Sequence, residues 1–159
     1  MVFSKKCIYA LRAILYVASL DSKHYVSTRS ISDELKISFS FLTKILQELT
    51  RENFITSYRG PSGGVSLSRP AAEIKIVEIV EAIEGKELLR ECVLGLPNCN
   101  SDLPCPLHQQ WTDIRTSINT MLINATLEDL ALKIKSGDLR ISAGDGTKKN
   151  LTQNKTKYS

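Results

Sequence analysis

Histidine is nearly missing from this chain: His24 and His108 are the only two in 159 residues. No carboxylate pair and no nucleophile beside a base stands out either, so the acid–base machinery of an enzyme is not there. At 17.7 kDa the chain is also too short for a large multidomain enzyme, and fits one compact domain with appendages. Its longest apolar runs fall well short of the roughly 18–20 residues that cross a bilayer. The start, Met1-Val2-Phe3-Ser4-Lys5-Lys6, leads into no secretory h-region and no small-residue cleavage site, so a cytoplasmic protein without a membrane partner is expected. A reducing compartment makes the four cysteines candidates for metal or redox chemistry rather than a disulfide framework. Cys-x-x-Cys knuckles, the usual zinc arrangement, are absent.

Charge is unevenly spread. Residues 1–70 carry ten Lys/Arg against five Asp/Glu, whereas 71–105 carry three against seven. A basic N-terminal half suits an anionic partner such as nucleic acid.

The hydrophobic pattern predicts a mainly α fold. Cys7, Ala10, Leu11, Ile14, Leu15 and Ala18 recur at helical spacing over 5–20. Ile8, Tyr9, Tyr16 and Val17 make that helix apolar on further sides, which fits either a subunit contact or a central core helix. Two short helices follow, with Ser27 and Ser38 placed to cap them. In the second, Leu42, Ile45, Leu46 and Leu49 face inward and Ser40, Thr43, Lys44 and Gln47 outward. A small, polar, hydrogen-bonding face of that kind is what a recognition helix presents to base edges. Phe54–Tyr58 and Val65–Ser68 flank Arg59-Gly60-Pro61-Ser62-Gly63-Gly64, which reads as a hairpin and, after a helix-turn-helix, as a wing with Arg59 at its tip. No Gly-Lys-Ser/Thr ending supports a phosphate loop there.

A further helix over 73–84 closes at Gly85, with Ile76, Val80 and Ile83 inward. Beyond it lies a loop holding Cys92, Cys99 and Cys105, bent by Gly95, Pro97, Pro104 and Pro106, with His108 three residues on. Clustered thiolates bind soft or borderline metals, so an iron–sulfur cluster is the first expectation. A thiol or disulfide switch, a zinc ion and a disused site are the others. Cys7, on an apolar helix face, is expected to be buried and inert. From Pro106 to about Asn124 the residues Leu107, Trp111, Ile114, Ile118, Met121 and Ala125 form a seam of period 3.5, which favours pairing with another helix. The predicted organisation is a winged helix-turn-helix DNA-binding domain (1–84), a cysteine loop (85–108), a dimerisation helix with a following short helix (109–135), and a disordered tail (136–159).

With these parts in this order, the chain resembles the Rrf-type (IscR/NsrR) family of bacterial iron–sulfur transcription regulators over roughly residues 3–133. The resemblance rests on Tyr9-Ala10-Leu11-Arg12-Ala13, Ile37-Ser38-x-Ser40-x-Leu42, Arg59-Gly60-Pro61-x-Gly63-Gly64 and Cys105-Pro106-Leu107-His108-x-x-Trp111. It implies a homodimer whose long helices cross and whose winged domains read a palindromic double-stranded DNA site. Ser38, Ser40, Thr43 and Lys44 match its base-reading or phosphate-contacting positions, and Arg59 its wing arginine. The ligands it implies are Cys92, Cys99 and Cys105 with His108 as the fourth, a set favouring a 2Fe-2S over a 4Fe-4S cluster. Six residues separate Cys92 from Cys99 where several members have five, and Ile8 stands where other members place an acidic ligand. The implied function is a dimeric repressor that senses redox poise, oxygen, nitric oxide or iron. A cluster-free regulator with a thiol switch and an adaptor that no longer binds DNA are the alternatives.

Overall fold

The computed structural model describes residues 2–20 and 24–142. Helix α1 (Lys5–Ser19) starts where the Ser4 hydroxyl accepts the Cys7 N–H at 3.1 Å. It packs against α2 (Thr28–Leu35), α3 (Phe39–Arg51), α4 (Ile76–Glu84), α6 (Leu127–Lys135) and the wing strand β2 (Gly64–Leu67). Cys7, Ala10, Ala13 and Ile14 lose all exposure, and Tyr16 and Val17 are buried with them. The buried face of α1 is thus covered by its own chain, as that of a central core helix, while Ile8 and Tyr9 stay half-buried. Cys7 meets the expectation for it, since burial first, and the neighbouring Glu84 second, push its thiol up to about 12.

Helices α2 and α3 form the helix-turn-helix. Ser27 caps α2 by accepting the Ser30 N–H at 3.0 Å, and Lys36 ends it in the left-handed region at φ 54°. The buried Ser32 hydroxyl donates to the Ile37 carbonyl at 2.7 Å and ties down the turn. Ser38 corrects one expectation. It stands exposed at the N-cap of α3 without a side-chain cap hydrogen bond, and the backbone carries the start of the helix, the Leu42 N–H donating to the Ser38 carbonyl at 2.9 Å.

The wing is β1 (Ile55–Tyr58) paired antiparallel with β2, in the register Ile55 opposite Leu67 and Tyr58 opposite Gly64. Val26 adds a third, one-residue rung, exchanging both backbone hydrogen bonds with Val65 at 2.8 and 2.9 Å. That rung brings the Val26 carbonyl within 2.2 Å of where a Cβ on Gly64 would stand, so only glycine fits.

Helix α4 begins three residues later than the periodicity suggests, after a 3-10 turn at Ala71–Glu73. The reason is tertiary: the Ile74 carbonyl accepts from Leu127 and the Ile76 N–H donates to Ala125, holding Ile74 and Lys75 extended against the start of α6. Helix α5 (His108–Asn124) starts two residues after Pro106. Residues assigned to the tail from 136 on are partly held, the Leu139 N–H donating to Lys133 and the Ile141 carbonyl accepting from Arg12 Nε at 3.0 Å. The rest of the predicted tail, 143–159, lies outside the described residues. No helix among the described residues is long and apolar enough to cross a membrane.

Candidate functional site

Residues 86–107 form a succession of turns between α4 and α5. The Gly95 N–H donates to the Cys92 carbonyl at 2.9 Å, with Gly95 at φ 66° and Asn98 at φ 57° reversing the chain. Asn100 Oδ1 then accepts the N–H groups of Asp102 and Leu103 at 2.8 and 3.0 Å, an Asx turn that closes the stretch from Cys99 to Cys105. At the far end the His108 N–H donates to the Cys105 carbonyl, locking the last cysteine onto α5. Helix α5 also grips the beginning of the loop. Trp111 Nε1 donates to the Glu91 carbonyl at 2.9 Å and Arg115 Nη1 to the Arg90 carbonyl at 2.6 Å.

These turns gather all three loop cysteines, whose sulfurs lie within 4.8 Å of one another. The four predicted ligands fall into two pairs: Cys92 Sγ is 3.6 Å from Cys105 Sγ, and Cys99 Sγ is 3.3 Å from His108 Nδ1. Two thiolates on one tetrahedral metal at about 2.3 Å would stand roughly 3.8 Å apart, so the first pair already has chelating spacing. Cys105 is buried, and Cys92, Cys99 and His108 are half-buried, so ligands are shielded without being sealed off. Backbone N–H groups of Leu96 and Leu94 aimed at Cys92, helped by the other two thiols, pull its thiol down to about 7. Cys99 moves the other way: the Cys105 N–H favours its thiolate, but desolvation and the thiols of Cys92 and Cys105 outweigh it. Three gathered soft sulfurs, with an imidazole beside one of them, are a donor set that fits iron or zinc and can also close a disulfide.

The second surface is the face of α3 and the wing. Ser38, Ser40 and Lys44 are exposed, and the half-buried Thr43 donates its hydroxyl back to the Phe39 carbonyl at 2.8 Å, keeping its lone pairs outward-available as acceptors. Arg59 is exposed at the hairpin tip. Sequence reasoning passed over Arg29. Its guanidinium lies 4.8 Å over the ring of Phe39, the first residue of α3, so an exposed cation stands at the N-terminal end of that helix. Only the basic count of the first seventy residues signalled it.

The seam of α5 divides in two. Leu107, Ile114 and Met121, seven residues apart, are 42, 54 and 58% exposed. Ile118 and Ala125, in the column between, pack on the chain's own core. Leu122 is the one buried residue of α5.

A family model, Rrf2, described as an iron-dependent transcriptional regulator, matches residues 3–133. A Neisseria meningitidis serogroup A protein named as an HTH-type transcriptional regulator is 32% identical over 138 residues, covering 87% of this chain and 93% of its own. Among solved structures, CymR (YrzC), the global cysteine regulator of B. subtilis, is similar at 25% identity with a TM-score of 0.69, over 82% of this chain and 95% of that one. The IscR of T. potens shares the fold, at 24% identity and a TM-score of 0.68, over 86% and 90% of the two chains.

Proposed function

Because the chain belongs to the Rrf2 family of transcriptional regulators, we propose that it is a homodimeric, DNA-binding repressor whose 92–108 loop holds an iron–sulfur cluster and reports redox, oxygen, nitric oxide or iron status. One observation carries this reading: the sulfurs of Cys92, Cys99 and Cys105 lie within 4.8 Å of one another, with His108 Nδ1 3.3 Å from Cys99, on a loop gripped by α5. Two pairs suit the two irons of a 2Fe-2S centre better than the corners of a 4Fe-4S cube, and the family's description as iron-dependent agrees with iron as the metal. When bound, such a group supplies a reversible one-electron and oxidant-sensitive centre. What the protein contributes is a mechanical link. Cys105 and His108 sit at the start of α5, so any change in how the four donors are held acts on the helix whose exposed column, Leu107, Ile114 and Met121, is offered to a second copy. Movement between two copies changes the spacing of their α3 helices, and spacing is what a palindromic site measures.

Ser38, Ser40, Thr43 and Lys44 of α3 would contact the major groove and Arg59 of the wing the adjacent minor groove or its phosphates. The protein works in the cytoplasm, where its DNA is.

The test is anaerobic purification followed by a visible absorption spectrum, with iron and acid-labile sulfide assayed on the same sample. Visible bands with matching iron and sulfide, and operator affinity that differs between loaded and stripped protein at fixed salt, are expected. A colourless, iron-free protein, or equal affinity in both states, sinks the cluster sensor. A second reading has its own observation: Cys92 and Cys105 are 3.6 Å apart, and Cys92 carries the lowered thiol. A thiol switch would join these two, and mass spectrometry after peroxide would find their disulfide in protein that never held iron.

A further inference from the structure

The wing has little of its own to hold it upright. Each strand has four residues, and an isolated two-stranded hairpin of that size is marginal in water. Its base is secured by the buried Ile55, and farther out, opposite Ser57, by the buried Val65 and the Val26 rung. Toward the tip, Thr56, Ser57, Tyr58 and Arg59 are all exposed, and beyond Val65 the turn 59–63 has no buried residue. The Tyr25 ring stands there instead. It stacks on the Tyr58 ring with centroids 5.3 Å apart and planes 26° from parallel, and both rings remain open to solvent at 37 and 55%. Tyr58 is the last residue of β1 and directly precedes Arg59.

The geometry braces both strands at once. Tyr25 is joined through the next peptide to Val26, whose backbone exchanges two hydrogen bonds with Val65 of β2, while its ring lies on the end of β1. Gly64 lies opposite Tyr58 and has no side chain to pack against it. Aromatic cover over a cross-strand glycine is a known way of firming such a pair. Two exposed aromatic rings at the wing's edge would otherwise be an unrewarded exposure of apolar surface.

We infer that Tyr25 is a positioning residue for DNA reading: stacked on Tyr58, it fixes the direction in which Arg59 leaves the wing. This rests on the DNA-binding reading above. Tyr25 need not touch DNA, since its effect passes through Tyr58 to Arg59, lowering the freedom that Arg59 must lose on binding.

The experiment starts by letting the wild-type full chain select duplexes from a random-sequence library, then measures affinity and base preference of Tyr25→Ala, Tyr25→Phe, Arg59→Ala and the double variant Tyr25→Ala/Arg59→Ala. Tyr25→Ala is expected to bind about three- to tenfold more weakly, Tyr25→Phe like the wild type, and the double variant no more weakly than Arg59→Ala. Base preference should flatten only at the positions flanking those read by α3. Tyr25→Leu, which keeps apolar bulk without a ring, is read the same way if Tyr25→Ala loses helical circular dichroism. Additive losses in the double variant, flattening at every position, or wild-type affinity in Tyr25→Ala and Tyr25→Leu would overturn the inference. Failure of the DNA-binding reading itself shows earlier and separately, as a wild type that enriches no duplex, and takes this inference with it.

Discussion

The indole N–H of Trp111 donates to the carbonyl of Glu91 at 2.9 Å, so the first turn of α5 holds the residue immediately before Cys92. The two ends of the cysteine loop are thereby fastened to one helix. Trp111→Phe keeps the ring and removes the donor. We expect a modest stability loss of about 0.5–1.5 kcal/mol and, more telling, fewer irons retained per chain after anaerobic gel filtration. Equal iron retention would show that this bond does not set the loop.

The DNA-reading role proposed for α3 and its role in holding the fold fall on different side chains. Lys44 is exposed whereas Leu42 is wholly buried. Lys44→Ala should leave the melting temperature within error, weaken binding to all duplexes and reduce the slope of log affinity against log salt by about one. Leu42→Ala should instead cost about 2–5 kcal/mol in urea unfolding. An unchanged salt slope in Lys44→Ala would remove that residue from the interface.

In the wing, Gly64→Ala places a methyl 2.2 Å from the Val26 carbonyl oxygen. The rung between Val26 and Val65 has to open. Hydrogen exchange at the Val26 and Val65 amides should speed up markedly and DNA affinity should fall, with the helical signal preserved. Retained protection at both amides would mean the rung tolerates a side chain.

The Glu78 carboxylate sits below its ordinary value near 4.5: burial opposes its charge, but the Lys75 N–H and the Arg69 guanidinium outweigh it. A depressed folded-state value contributes stability that is fully present above the ordinary glutamate value and is lost as pH falls through the lower, folded one. Glu78→Gln should therefore be less stable than wild type at neutral pH, with the gap between their urea midpoints closing in acid. A gap independent of pH would assign the loss to the start of α4 rather than to the charge.

Met121, 58% exposed in the open column of α5, tests the assembly. Met121→Glu should hardly alter the unfolding midpoint of a single chain, yet shift sedimentation from dimer to monomer and weaken binding to a palindromic duplex. A Met121→Glu dimer as tight as wild type would place the subunit contact elsewhere.

Much of this was legible along the chain. Helical spacing in α1 and α3, the serine before α2, the glycine turn of the wing and three cysteines within fourteen residues are local patterns, and local patterns are governed by backbone sterics and by which side chains avoid water. What tertiary structure decided is nonlocal. Sequence order sets Cys92 beside Cys99, but the turns at Gly95, Asn98 and Asn100 put Cys92 at 3.6 Å from Cys105 and Cys99 at 3.3 Å from His108. Periodicity alone ran α4 back to 73, while pairing with the start of α6 stretched 74–75 instead. It also made a single seam of α5, which packing divided into a column turned to its own core and a column left open. The seven-residue repeat determines which side chains share a stripe; the shape of the remaining fold determines which stripe is already covered.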